Sequence, residues 1–279
     1  MKLCSLASCS GGNAYLISGR DGTSVLVDCG LSLRRLEAGL LAAGVCPDDL
    51  AGVFMTHEHA DHVQALRLRH PFPARHGLPV FAPPGFWEAF PARDGLDRRT
   101  IGSRRSVTVG GLTVTAFPKP HDAAEPVGYL VEDGQEAVGV ATDLGTVTRD
   151  VLTALRGADH LIFESNHDPV LEVRSGRPAY LIRRVLSDHG HLSNQQAGQA
   201  LALLASARTR TILLAHLSED CNLPELALET VSECLAGSPF RGLLATAPHR
   251  HPSPIYSRDG AGPIRADNDL TRRHAADRG

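Results

Sequence analysis

The 279 residues contain no Cys-x-x-Cys pair. Six cysteines, Cys4, Cys9, Cys29, Cys46, Cys221 and Cys234, are scattered along the chain. That scatter argues against a disulfide framework and for a reducing cytoplasm. No apolar stretch approaches the ~20 residues that a membrane-spanning helix needs, so no membrane partner is expected. Leu6-Ala7-Ser8-Cys9 has the form of a lipoprotein cleavage box, but no apolar h-region precedes it. Lysine is nearly missing: Lys2 and Lys119 are the only two among 28 basic residues, a general preference for arginine. With a formal net charge of -3, no global basic field announces nucleic acid. Internal repeats are absent. What remains is an ordinary globular composition, 42% hydrophobic and 21% charged, in a chain long enough to bury one substantial core or two fused half-domains.

Against that background, Thr56-His57-Glu58-His59-Ala60-Asp61-His62 stands out. It follows the apolar run Val53-Phe54-Met55 and precedes Val63-Gln64-Ala65-Leu66. This pattern predicts a strand end, a tight turn and a helix start. Residues i and i+2 of an extended segment point the same way, so His57 and His59 can reach one point. Asp61 and His62, at the helix start, can face the same cavity from its other side. Three imidazoles and a carboxylate are nitrogen and oxygen ligands suited to zinc or manganese.

The rest of the chain reads as alternating strands and helices. Residues 14–18 and 24–28 form a predicted hairpin about Arg20-Asp21-Gly22. Helical spacing follows over residues 31–43, closed by Gly44. Further strands are expected at 80–82, 106–109, 112–117, 127–132, 137–142, 160–163 and 211–215. Helices are expected at 85–90, 146–155, 178–186, 194–207 and 224–235, with Ser193 as an N-cap. Residues 71–105 are the least regular inner stretch. Residues 1–257 read as a single domain. The tail, 258–279, is rich in Arg, Asp, Gly and Ala and is expected to be loosely ordered.

One regularity ties these segments together. Met55, Phe117, Thr142, Phe163 and Ala215 end apolar runs, and His57, His121, Asp143, Glu164 and His216 follow closely. Polar groups gathered at one sheet edge are how α/β folds build clefts.

The His-x-His-x-Asp-His string resembles the metal motif of metallo-β-lactamase-fold hydrolases. The resemblance implies an α/β fold, a four-layer αββα sandwich, carrying two divalent metal ions, zinc or manganese. It implies that His57, His59 and His121 hold one ion. Asp61, His62 and His216 would hold the other, with Asp143 bridging. Glu164 and the stretch His191-Leu192-Ser193 resemble the tRNA 3′-processing endonucleases, in which a Glu orients a His at the scissile phosphate. A cationic His held by a carboxylate can donate the proton that a leaving alkoxide needs. Catalytic roles are therefore expected for Asp61, Glu164 and His191.

A narrower likeness runs from the N-terminus to about Leu235. Ala7-Ser8-Cys9-Ser10-Gly11-Gly12-Asn13, Thr142-Asp143-Leu144-Gly145, Glu164-Ser165-Asn166-His167-Asp168, Gly190-His191-Leu192-Ser193-Asn194 and His216-Leu217-Ser218-Glu219-Asp220-Cys221-Asn222 are similar to the bacterial WalJ/YycJ-type metallo-hydrolases. The likeness implies a DNA exonuclease-type activity on a nucleic acid partner, with Asn13, Asn166, His167, Ser193 and Asn222 beside the substrate. It lacks a tRNA-grasping arm. Cys9-Ser10-Gly11 departs from the Gly-Ser-Ser expected there. The competing readings are a small-molecule phosphodiesterase, a lactonase or thioesterase, and a metal-dependent sensor or scaffold. A redox role lacks an appended flavin-binding domain. Arg98-Arg99, Arg104-Arg105 and Arg183-Arg184 are basic pairs able to meet phosphates.

Overall fold

The computed structural model describes residues 1–91 and 95–262. The first half of the chain builds β1 (Lys2–Cys9), β2 (Gly12–Ser18), β3 (Ser24–Val27), α1 (Leu33–Ala42), β4 (Leu50–Phe54), α2 (Ala60–Val63), α3 (Phe72–Arg75), β5 (Pro79–Ala82), α4 (Pro84–Ala89) and β6 (Asp97–Thr100). Its sheet begins as an antiparallel meander, β1-β2-β3, and continues with parallel strands, β4-β5-β6.

The second half repeats that plan. It comprises β7 (Ser106–Val109), β8 (Leu112–Pro118), β9 (Val127–Glu132), β10 (Ala137–Ala141), α5 (Arg149–Leu155), β11 (His160–Glu164), α6 (Pro169–Arg174), α7 (Ala179–Val185), α8 (Asn194–Leu204), β12 (Thr211–Ala215), α9 (Pro224–Leu235) and β13 (Leu243–Thr246). Strands β7 to β10 are antiparallel, and β10 to β13 are parallel. Two short strands, β14 (Ile255–Ser257) and β15 (Gly260–Gly262), return to the first sheet beside β1.

Strand periodicity explains the layering. On β2, Tyr15 and Ile17 join a core shared by both sheets, whereas Ala14 and Leu16 join one beneath α1, α3 and α4. On β3, Val25 and Val27 face inward and Leu26 outward in the same way. Alternate residues of a strand lie on opposite faces, so strands buried on both faces read as continuous apolar runs. The second sheet carries a third core against α5, α8 and α9. The result is the expected αββα sandwich. At the seam between the sheets Phe54 stacks on Phe81 at 4.6 Å and meets the edge of Tyr129 at 5.6 Å.

The expected helices and strands form, several of the helices with shorter ends. Residues 31–43 give a helix over Leu33–Ala42, residues 146–155 one over Arg149–Leu155, and residues 194–207 one that stops at Leu204. Ser193 caps α8 through a full capping box with Gln196. Among the unforeseen elements are β1, whose Cys-Ser-Leu-Ala-Ser-Cys run lacks clear alternation, the short, exposed edge strand β6, the short helices α3 and α6, and the strands β13 to β15. The irregular stretch 71–105 holds α3, β5, α4 and β6. Pairing continues beyond Ser257 through β15; the remaining tail, residues 263–279, lies outside the described residues.

Candidate metal centre

Both sheets end at one edge, and there the predicted groups meet. After β4 the chain turns through His57 and His59, and α2 begins at Ala60, so Asp61 and His62 lie in its first turn. The loop sits close against the chain after β3. A Cβ on Gly30 would lie 1.5 Å from the Asp61 carbonyl oxygen, so only glycine fits there. From the second sheet come His121 after β8, Asp143 after β10, Glu164 at the end of β11 and His216 after β12.

Two ligand groups result. The side chains of His57, His59 and His121 form one; Asp61, His62, Asp143 and His216 form the other. In each, the ligand atoms lie within 4.8 Å of one another. Asp143 stands between them. Its Oδ1 is 3.8 Å from His121 Nε2 and its Oδ2 is 3.2 Å from His62 Nε2.

Every imidazole in these groups is oriented through its outer nitrogen. His57 Nδ1 meets Thr56 Oγ1 at 2.9 Å, His59 Nε2 the Asp122 carbonyl at 3.2 Å, and His121 Nδ1 the Gly190 carbonyl at 3.1 Å. In the second group, His62 Nδ1 donates to Asp28 Oδ2 at 2.7 Å and His216 Nδ1 to Glu164 Oε1 at 2.9 Å. This outer hydrogen bond fixes ring orientation in metal-ligating histidines. Meanwhile His57 Nε2, His216 Nε2 and Asp143 Oδ2 are buried without hydrogen-bond partners among the described residues. Buried polar atoms are rarely left so. Nitrogen and carboxylate donors aimed inward, with their outer atoms held, fit divalent metal ions.

Electrostatics separate the two groups. Burial, reinforced by the nearby Lys119 cation, lowers His57 well below the usual imidazole range and His121 to about 3. Burial also opposes charge on His62 and His216, but surrounding carboxylates outweigh it. Asp143, Asp61 and Asp28 raise His62 well above its ordinary value, and Asp143, Asp61 and Glu164 raise His216 to about 10. Asp143 itself is held low by His216 and His62 despite its burial. A divalent cation held among these carboxylates would balance their charge in place of imidazole protons.

Glu164 is the hub of the second half. It is fully buried, and its Oε1 accepts from the Asp143 amide at 3.0 Å, His191 Nδ1 at 3.0 Å and His216 Nδ1 at 2.9 Å. Its Oε2 accepts from the amides of Leu144 and Leu192 at 2.8 and 3.0 Å. Burial raises its pKa, but the two imidazoles outweigh this and keep it ionised. Although Asp143, Glu164, His191 and His216 also lie within ligand distance of one another, those five bonds make Glu164 an organiser. His191 lies beside both groups, its ring 5.2 Å from that of His121 and 5.1 Å from that of His216.

The five residues expected beside the substrate are buried, and most of their polar atoms engage the protein itself. Asn13 Nδ2 donates to the Cys9 carbonyl and to Asp61 Oδ2. Asn166 Nδ2 donates to the His216 carbonyl. Asn222 holds the carbonyls of Ser165 and Asn166, while Ser193 caps α8. His167 is 1% exposed and pairs through its backbone with Ser193. Their place is beneath the centre.

Two supporting residues escaped the sequence reading. Asp28 follows β3, accepts from the Thr56 amide and hydroxyl at 2.8 Å each, and orients His62. A carboxylate closing a buried strand, the signal that marked Asp143, marks Asp28 equally. Both have left-handed backbones, with φ of 60° and 55°, as does His216 at 56°. Non-glycine residues rarely adopt that region, and those that do cluster at functional sites. The other is Lys119, buried and hydrogen-bonded to the carbonyls of Thr142 and Asp143. A lysine in a chain that otherwise uses arginine was the available clue.

Residues 23–217 match the family described as Beta-lactamase superfamily domain. The chain is 38% identical over 240 residues to exodeoxyribonuclease YycJ of Bacillus anthracis, covering 84% of this chain and 89% of that protein. It is 31% identical over 238 residues to exodeoxyribonuclease WalJ of Streptococcus pneumoniae, covering 83% and 87% respectively. Among solved structures, the metallo-β-lactamase-fold protein YhfI of Bacillus subtilis superposes with a TM-score of 0.69. It covers 90% of this chain and 98% of that one, at 19% identity. Family match, sequence relatives and the αββα sandwich agree, and the chain belongs to the metallo-β-lactamase-fold hydrolases, in the family of YycJ and WalJ.

Proposed function

We propose that this protein is a nuclease that uses two divalent metal ions, zinc or manganese, to remove nucleotides from DNA ends. The observation carrying the metal assignment is the ring set: five imidazoles, each held by its outer nitrogen, with inner atoms converging on two points around Asp143. On this reading His57, His59 and His121 hold one ion, Asp61, His62 and His216 the other, and Asp143 both. Bound ions of this kind supply an acidic water and stabilise charge developing on a phosphodiester.

The chain's own contribution is orientation and a proton. Glu164 fixes the His191 ring through Nδ1, leaving Nε2 as the atom that can give a proton to the leaving oxygen. The His191 side chain is 15% exposed, so it is held firmly yet reachable. An acyl substrate has less need of such a donor, which favours a phosphodiester over the lactonase and thioesterase readings. Similarity to two exodeoxyribonucleases over most of the chain points to DNA. The scattered cysteines suit a reducing cytoplasm, and no helix among the described residues is long and apolar enough to cross a membrane.

The test is digestion of end-labelled DNA and RNA by metal-stripped protein resupplied with zinc or manganese, beside bis(p-nitrophenyl) phosphate and a lactone. Processive loss of nucleotides from DNA ends is expected. Hydrolysis of the small diester without action on any nucleic acid would replace this reading with a small-molecule phosphodiesterase. Turnover of the lactone alone would reject phosphodiester chemistry altogether. His191→Ala should retain its metal while DNA turnover falls ~10²-fold or more. Unchanged turnover would remove His191 from the mechanism.

A further inference from the structure

The α6–α7 segment carries a feature that the metal centre does not explain. Seven large apolar side chains stand exposed among the described residues, and four of them, Val170, Val173, Tyr180 and Leu186, fall within this one stretch. Tyr180 is 69% exposed. Burying an aromatic ring normally contributes to the core, so an open one in a short excursion calls for a partner.

Charge and position indicate which partner. On α7, Tyr180, Arg183 and Arg184 are spaced i, i+3, i+4 and share one face. Arg183 is exposed and has no hydrogen-bonding or ionic partner among the described residues. Arg184 pairs with Asp122, whose carbonyl orients His59 and whose carboxylate lies 3.4 Å from His121 Nε2. The chain leaving α7 passes straight into the centre. The Val185 carbonyl accepts from the His191 amide at 2.9 Å, and a Cβ on Gly190 would lie 2.1 Å from the Arg184 carbonyl oxygen. The face therefore begins at the reacting edge and runs outward along one helical turn.

Resting on the nuclease reading, we infer that this face of α7 holds the single-stranded nucleic acid flanking the scissile bond. Tyr180 is the stacking platform for a base, Arg183 meets a phosphate, and Arg184 positions the strand at the metal edge. Interleaved aromatic and basic side chains beside a cleft are how proteins track single strands without reading sequence. An interface between two copies of this chain would instead set like-charged arginines, the unpaired Arg183 among them, against one another or need acidic partners. The exposed face of α7 offers none.

The test uses the full chain, metal-loaded with its activity blocked by low temperature, and a fluorescein-labelled oligothymidine. Tyr180→Leu should raise the dissociation constant roughly ten-fold, the scale of one lost stack, whereas Tyr180→Phe should match the parent. Arg183→Ala should lower the salt slope by about 0.7, the value for one phosphate on a single strand. Equal affinity of Tyr180→Leu and the parent, with DNA still bound and cut, would overturn the inference and leave the nuclease reading intact. A parent that binds neither DNA nor RNA would overturn both. A parent that sediments as a dimer and becomes a monomer on Tyr180→Leu substitution would assign the face to a second copy of the chain.

Discussion

The two halves of this molecule reach the same sheet edge by different means. The first half places its four candidate ligands within one six-residue stretch, His57 to His62, that runs from the turn after β4 into the first turn of α2. Asp28 anchors that loop through Thr56 and one imidazole, His62. The second half spreads its groups over the ends of β8, β10, β11 and β12, and Glu164 gathers them through two imidazoles and three amides. A contiguous loop carries much of its own geometry and needs one anchor. Groups far apart in sequence need a shared acceptor, because nothing local fixes their separation.

The largest effect expected from this contrast follows removal of the hub. Glu164→Gln replaces one accepting oxygen with an amide nitrogen that cannot accept, so donors on that side lose their partner. Metal affinity should fall ~10–100-fold, as for the loss of an outer partner, and DNA turnover ~10²-fold or more with the loss of His191 orientation. Asp28→Asn should weaken metal binding within the same range while leaving the His191 contribution to turnover intact. Titration of metal into stripped protein, beside turnover at saturating metal, separates the two. If Asp28→Asn depressed saturated turnover as deeply as Glu164→Gln, the contrast between anchor and hub would fail.

A smaller effect concerns the seam between the halves. The Tyr129 hydroxyl, on the second sheet, donates to the Met55 carbonyl at 2.7 Å, just ahead of the metal loop. Both groups are buried. Tyr129→Phe should cost about 1–3 kcal/mol by stranding that carbonyl, read as a lower denaturant midpoint at unchanged metal content. A midpoint equal to the parent's would show that the seam is held by ring packing alone.

The smallest effect lies at the far end, where the hairpin tips of the two halves touch. Arg20 Nε donates to Asp133 Oδ2 at 2.9 Å. Partial burial raises the Asp133 pKa, but the Glu136 and Gln135 amides and Arg20 outweigh it and hold the carboxyl at about 2. A folded value below the unfolded ~3.9 stabilises the fold above that unfolded value, and the contribution fades as pH falls toward 2. Arg20→Ala should therefore flatten the acid limb of stability between about pH 4 and pH 2, with only a slight loss at neutral pH because the pair is solvent-screened. Urea midpoints across that range measure it. An acid limb identical to the parent's would assign the low pKa to the amides alone.

Much of the centre was legible because its signals are local. His57 to His62 lie in one stretch, and ligand types at that spacing after an apolar run specify a metal loop with little help. His121, Asp143, Glu164 and His216 were legible only as polar residues closing apolar runs. Asp28 carried the same mark and passed as the end of a hairpin strand, since the sequence does not say which strand ends share an edge. The positions of Asn13, Asn166, His167, Ser193 and Asn222 show the opposite difficulty. Their residue types permit substrate contact or backbone support equally, and only the packed structure shows which backbone groups they hold.

The sequence by itself determined most of the strand and helix order and the polar residues that close apolar runs, because these follow from apolar periodicity and donor chemistry written into short segments; the αββα class and the ligand set were implied by the family resemblance those segments carry. Tertiary structure decided that Asp28 orients His62, that Glu164 serves His216 as well as His191, and that Tyr180 and Arg183 stand open beside them. Each of these depends on distances between residues tens to hundreds of positions apart, and such distances exist only once two sheets pack face to face and bring their ends to one edge.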